Sequence, residues 1–327
     1  MPIMADQNLA AVAVTGDEPT TSDRDPMEVR LNKPKRSIGP YLLILPVVLT
    51  LVAALAYPLG RQIIMSFQGF GLAQQLGTAP PEWVGLDNYK AIFTDSAIWA
   101  IIIRSLLFCF VNAGATMVIG IALAVLMTKV TNTARIILST ALLFAWSMPV
   151  IAAMTVWNWM FDSEYGLVNW ALQKLGFDFA GHSWLVEPLS FYFVATVIIV
   201  WMSVPFVTFS IYSALTQVSD EMLEAAQLDG ANGWQRFTQI IMPTIASVVA
   251  VVSVLQVIWD LRVFTQIYYL QGVGGLPSKT DLLGTFIYRM GISQAEFGIA
   301  SAVALFVLVL TLLVTSGYVR SLFKESE

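Results

Sequence analysis

Six long apolar runs, each longer than any ordinary core helix requires, constrain this chain more than any other feature. They lie at about 38–67, 99–127, 136–161, 189–215, 240–266 and 297–322, with shorter polar segments between them. At 1.5 Å of rise per residue each is long enough to cross ~30 Å of hydrocarbon as a helix. Composition agrees: 57% of the 327 residues are hydrophobic and only 12% are charged, about half the ~25% usual in soluble domains. The mean hydropathy is +0.72. A water-soluble domain could not cover its surface with so few polar side chains, which excludes a cytosolic enzyme and argues against a secreted one. The expected fold is all-α and membrane-integral, with six transmembrane helices in one domain over residues 38–327. Pro46, Pro58, Pro149 and Pro205 fall inside the runs, which membrane helices tolerate when neighbours re-satisfy the freed backbone groups.

Residues 1–37 are polar and carry Asp17, Glu18, Asp23, Asp25 and Glu28, then Lys33, Lys35 and Arg36. No apolar run begins before about Tyr41, whereas a secretory signal places its apolar region nearer the start. The segment reads as a disordered tail. Basic residues near the span ends set the orientation. Lys33, Lys35 and Arg36 precede span one, Lys129 and Arg135 bracket the turn between spans two and three, and Arg320 and Lys324 come near the end. The alternate loops, 68–97 and 162–188, hold only Lys90 and Lys174. Both termini are therefore expected in the cytoplasm of a plasma-membrane protein. Arg61, Arg104, Arg262 and Arg289 do not follow the pattern; the first three sit at span ends, where long basic side chains snorkel. The outer loops hold Trp83, Tyr89, Tyr165, Trp170, His182 and Trp184, an aromatic content that suggests order and an interfacial belt, with some left to receive a soluble partner.

Several chemistries are excluded by count. Cys109 is the single cysteine and His182 the single histidine, so no internal disulfide and no His-rich metal site is expected. The net charge of -5 argues against a nucleic-acid partner. The chain has no G-x-x-x-x-G-K-[ST] phosphate loop and no credible Ser/His/Asp arrangement.

The segment between spans four and five, 217–243, carries the most information. It begins as a helix: Ser219 suits an N-cap, and Asp220 and Glu221 occupy the first turn, where the helix dipole favours acid. Met222, Leu223, Ala225, Ala226 and Leu228 give it an apolar side, and Gly230 is placed to stop it. A second segment then runs into span five. The pattern describes a rigid hairpin lying on the cytoplasmic face.

Glu224-Ala225-Ala226, three residues, Gly230, nine residues, Ile240, one residue, then Met242-Pro243 resembles the EAA signature of permease subunits in binding-protein-dependent ABC importers. Asp229-Gly230-Ala231 fits the same signature, and the one departure is Met242 where leucine is usual, a volume-conserving change. Tyr41-Leu-Leu-Ile-Leu-Pro46, Val84-Gly-Leu-Asp-Asn-Tyr89 and Gly272-Val-Gly-Gly-Leu-Pro277 extend the resemblance over about 40–325 to the maltose-type, sugar-importing branch. The residue mix is similar to that of the trehalose-importing permeases of mycobacteria.

That resemblance implies a mechanism. The hairpin helix docks into a cleft on an ATPase subunit, with Glu224, Ala225, Ala226, Asp229 and Gly230 at the contact. The implied partners are a second permease subunit, two ABC ATPase subunits, an extracytoplasmic sugar-binding protein, the sugar and membrane lipid. ATP and magnesium would be bound by the ATPases and no cofactor by this chain. Alignment on the motif places the sugar pocket at Trp201-Met-Ser-Val-Pro-Phe206 and at 256–260, with Ser203, Phe206, Gln256, Trp259 and Asp260 as its residues. Polar residues in a span are functional candidates on physical grounds, and Gln256 and Asp260 share a helical face. Asn112 in span two and Asn158 in span three are further amides within the runs.

Other readings make different demands. A stand-alone secondary transporter would show inverted repeats and ion-coupling residues, and an integral-membrane enzyme would need a convergent catalytic set; neither is visible. An importer of an oligosaccharide or of glycerol phosphate stays within the main class.

Overall fold

The computed structural model describes residues 39–325, so the tail and its Lys33, Lys35 and Arg36 lie outside the described residues. The chain divides into two units, the second beginning at Leu55. Within the first, Gly39–Leu51 is helical and its apolar side chains from Leu42 onward are exposed.

Five helices are long and apolar enough to cross a membrane: Leu42–Ser66, Ser96–Lys129, Pro188–Leu215, Gly233–Gly272 and Phe297–Gly317. These are spans one, two, four, five and six. The expected third span is not one straight helix. Asn132–Ser147 and Val150–Met160 are bent by 104° at the break between them. Met148 takes φ -70, ψ 127 and Pro149 φ -58, ψ 134, because the proline ring excludes the helical region for the residue before it and Pro149 has no N–H to donate. Neither arm alone reaches across ~30 Å. Taken as one broken span, the pair makes a sixth. Pro205, by contrast, stays inside span four without ending it.

Spans two and four form the central contact. Thr116, Gly120 and Ala124, spaced one turn apart on span two, are all buried. A Cβ on Gly120 would stand 2.5 Å from Val207 Cγ1 of span four, so the backbones approach as closely as they do only because glycine is there. Lipid tails are as apolar as leucine, and association therefore rests on such fitted contacts between small residues. Around this seam Met117, Val207, Ile211, Ala214, Ile245 and Val252 pack into one cluster that includes span five.

The loop segments are ordered, as expected. Asn88 Nδ2 donates to Ser66 O at 2.9 Å and to Gln68 O at 3.0 Å, and Tyr89 Oη donates to Ser66 Oγ at 2.8 Å. The Val84–Tyr89 stretch thus fastens the loop to the end of the helix Tyr57–Ser66. Between spans five and six, buried Asp281 accepts from Arg289 Nε at 2.7 Å and Gln271 Nε2 at 3.1 Å, while Arg104 donates to the Asp281 carbonyl at 3.3 Å.

The seam gives a direct test. Gly120→Leu should lower the stability of the folded bundle by about 1–3 kcal/mol, the usual range for overpacking. A fall in the thermal unfolding midpoint of the detergent-purified protein, with Gly114→Leu much milder because nothing lies within 4 Å of its missing Cβ, would bear this out.

Candidate coupling hairpin and aromatic pair

The hairpin is built from local rules. Asp220–Leu228 forms a helix with Asp220 and Glu221 in its first turn. Ser219 occupies the N-cap position, but its hydroxyl makes no capping hydrogen bond, which corrects the expectation of a side-chain cap. The other end is closed as expected. Gly230 has φ +85, its N–H donates to Gln227 O at 3.1 Å, and Ala231 N–H donates to Ala226 O at 2.9 Å. These two bonds are the paired closure that a left-handed glycine permits at a helix end.

The chain restarts at once. Asn232 Oδ1 accepts from Gln235 N at 2.9 Å while Asn232 N donates to Gln235 Oε1 at 2.8 Å, a reciprocal capping box. Arg236 then donates to Gln227 Oε1 at 3.0 Å and ties the second arm to the first. The turn Phe237–Ile241 leads without a break into Met242–Leu261. The spacing Asn-x-x-Gln was the sequence signal for this second start, and the reading of the first helix did not use it.

The five predicted coupling residues lie together on this hairpin. Glu224, Ala225, Asp229 and Gly230 are exposed and Ala226 is half-buried, so this helix does not spend its small residues on packing against its own bundle. Two apolar residues that the sequence did not single out as contacts are also open to solvent, Leu228 at 89% and Trp234 at 72%. Beneath the hairpin lies a cavity of about 510 Å³ whose lining includes Lys129, Arg135, Asp220 and Arg236. The turn between spans two and three and the hairpin therefore share one face of the bundle.

The five predicted sugar residues fall into two groups. Gln256 Nε2 donates to Asp260 Oδ2 at 3.0 Å, and both side chains are buried inside the chain. Phe206 of span four and Trp259 of span five meet ring to ring at 4.9 Å, with Trp146 6.5 Å from Phe206. Trp259 is 46% exposed, and Ser203, one turn before Phe206, is half-buried. The aromatic pair thus faces outward from the chain while the amide–carboxylate pair faces inward. Asn112 Oδ1, Gln256 Oε1 and the Thr116 and Thr208 hydroxyls are buried without a partner among the described residues. No group of three or more metal-ligating side chains occurs among the described residues.

Residues 116–321 match the family described as the binding-protein-dependent transport system inner membrane component. The chain belongs to that family and is a multi-pass inner-membrane permease of the ABC importer class. It is 38% identical over 292 residues, 89% of this chain and 88% of the relative, to the diacetylchitobiose uptake system permease protein DasB of Streptomyces coelicolor. It is 30% identical over 283 residues, 86% of this chain and 92% of the relative, to the trehalose/maltose transport system permease protein MalF of Thermococcus litoralis. The trehalose transport system permease protein SugA of Mycobacterium tuberculosis is 27% identical over 267 residues, 82% of this chain and 83% of that one. Among solved structures, a chain of a bacterial ABC transporter for the acidic polysaccharide alginate superposes with a TM-score of 0.75 at 23% identity, over 88% of this chain and 96% of that one. That likeness is one of fold.

The hairpin geometry predicts a local effect. Asn232→Ala removes half of the capping box and should cost about 1 kcal/mol at the second start. Faster amide hydrogen exchange confined to 233–236, with Asp220–Leu228 unaffected, is the expected readout.

Proposed function

We propose that this chain is the translocation subunit of an ATP-driven importer for a sugar, a disaccharide by preference. It works beside a second permease, two ABC ATPase subunits and an extracytoplasmic sugar-binding protein. Both termini lie in the cytoplasm, and ATP and magnesium are held by the ATPases. The observation that carries the reading is the hairpin: a rigid helical arm with the family's spacing presents Ala225, Leu228 and Gly230 to solvent, where none of the described residues covers them. Isolated exposed apolar residues are ordinary. A fixed arm that combines them with Glu224, on the face shared with Lys129 and Arg135, is built to be received by another protein.

In this mechanism Glu224 pairs with a basic group of the ATPase, and Ala225, Ala226 and Gly230 let the backbones approach. Asp229 precedes the glycine turn that ends the arm. Closure of the two ATPases on ATP moves the docked arms and turns the permease pair from inward- to outward-facing. Sugar binds at Ser203, Phe206 and Trp259, whose rings stack on the apolar C–H face of a pyranose. Gln256 and Asp260, predicted to bond the sugar as well, are bonded to each other and buried inside the chain; they brace span five behind the rings and do not reach the cargo. Sugar is supported by the relatives' names, and disaccharide by trehalose, maltose and diacetylchitobiose among them. Trehalose is the cargo that the sequence resemblance favours, and diacetylchitobiose is the one attached to the relative at 38% identity.

Two experiments test this. In proteoliposomes holding the full transporter, Glu224→Lys and Gly230→Pro should abolish ATP-dependent uptake while the protein still inserts and unfolds at its normal temperature. Normal uptake by both variants defeats the docking role. With trehalose, maltose and diacetylchitobiose as cargoes, Trp259→Ala should raise KM for the transported sugar about tenfold, as loss of one stacking contact with its buried area implies. Unchanged kinetics would place the pocket elsewhere.

A further inference from the structure

The loop between Met160 and Pro188 packs one set of aromatic rings tightly and leaves another set unused. Trp184 stacks on Phe179 with ring centroids 5.4 Å apart and meets Phe161 at 5.5 Å and His182 at 4.8 Å. Its indole donates to Asn169 Oδ1 at 2.6 Å, and Asn169 donates in turn to His182 O at 2.9 Å and Ser163 O at 3.1 Å. These residues make the loop a folded unit. Trp159, Tyr165 and Trp170 take part in no ring contact among the described residues. They stay 56%, 78% and 58% exposed.

The three free rings line one cleft of about 380 Å³ together with Glu164 and Gln173. Neither the Glu164 carboxylate nor the Gln173 amide bonds to any described residue. The turn that presents Glu164 and Tyr165 is fixed: Asp162 Oδ1 accepts from Glu164 N at 2.9 Å and Tyr165 N at 2.8 Å. A Cβ on Gly166 would collide with the backbone of Asp162 and Met160, so the chain closes on itself there. An interfacial belt places aromatic rings at the headgroup level and asks for no carboxylate among them. Rings with unpaired hydrogen-bonding groups between them, in a concave site, match a ligand with an apolar face and a polar rim.

We infer that this cleft is a second sugar-binding site, in which Trp159, Tyr165 and Trp170 stack on a pyranose ring while Glu164 and Gln173 bond its hydroxyls. The inference rests on the reading of the chain as a sugar-importer subunit. Its position suits cargo on arrival. The loop joins the N-terminal end of span four and the coupling hairpin joins the C-terminal end, 28 residues away, a rise of about 42 Å. The cleft therefore opens on the face opposite the ATPases and engages sugar before the aromatic pair Phe206–Trp259 does.

The test uses the full transporter, with both permeases and the ATPases, in nanodiscs without the binding protein. Tryptophans are replaced by 5-fluorotryptophan, and the resonances of positions 159, 170 and 184 are assigned from single Trp→Phe variants. Trehalose, maltose and diacetylchitobiose are titrated in turn, and uptake of each is measured in proteoliposomes with the binding protein present. The 159 and 170 resonances should shift saturably with the transported sugar while the packed 184 resonance does not. Glu164→Gln should weaken the apparent Kd about tenfold, as turning one charge-assisted hydrogen bond into a neutral one implies. Uptake of a sugar that leaves both resonances unmoved overturns the cleft and spares the importer reading. Absence of uptake of all three defeats the disaccharide reading, and absence of shifts with all three defeats the cleft in either case.

Discussion

The close approach of span two to span four is the contact on which the packing of this bundle rests. Water drives apolar helices together in a soluble protein, but a bilayer offers no such force, and only fitted surfaces hold a bundle in lipid. Gly120 provides the fit, since a side chain there would enter the space of Val207. Span four runs 28 residues, and that seam holds it around Val207. Its two ends carry the folded 162–188 loop and the 217–243 hairpin, so the seam also bears on how far apart these two features stand.

Hydropathy made the spans legible because length against bilayer thickness is a one-dimensional property. Its failure at Pro149 has a local cause. The run 136–161 is apolar throughout, and hydropathy does not register that two consecutive residues must be extended. Pro205 sits in an equally apolar run and does not end its helix, so proline alone would not have marked the site. The hairpin was legible at Gly230, where one residue type satisfies a positive φ, and less so at Ser219, whose hydroxyl leaves the expected bond unmade. The pocket shows a different limit. Helical spacing puts Gln256 and Asp260 on one face, and they do bond. Periodicity says nothing of which neighbour that face meets, and the pair turned inward while Trp259, one residue away, turned outward.

Charge bias had noise of a specific origin. Arg289 and Arg104 departed from the pattern of basic residues expected on one side of the membrane. Both are engaged by Asp281, Arg289 through its carboxylate and Arg104 through its carbonyl. An arginine bound to a buried acid serves packing of the segment between spans five and six, and its charge carries little information about orientation. Lys129 and Arg135, by contrast, line the cavity beneath the hairpin. They keep their value as markers of that face.

The hairpin and the aromatic pair are mechanically linked by the path of the chain. The hairpin joins the end of span four to the start of span five, and Phe206 and Trp259 are one pair through which these two helices meet, 4.9 Å apart. Phe206 lies nine residues above the end of span four at Leu215, about 14 Å along the axis, and Trp259 seventeen above Met242, about 26 Å. The arms of the hairpin are braced by the Arg236–Gln227 bond, and the second arm runs into span five with no extended residue between them. A rigid arm cannot absorb a displacement within itself, so motion imposed on it passes into the tilt of two helices. With centroids 4.9 Å apart the two rings lie at one depth, so only a tilt of one helix relative to the other displaces one ring against the other. A relative tilt of the two helices therefore changes how these rings meet, and with it the aromatic surface that the pair exposes.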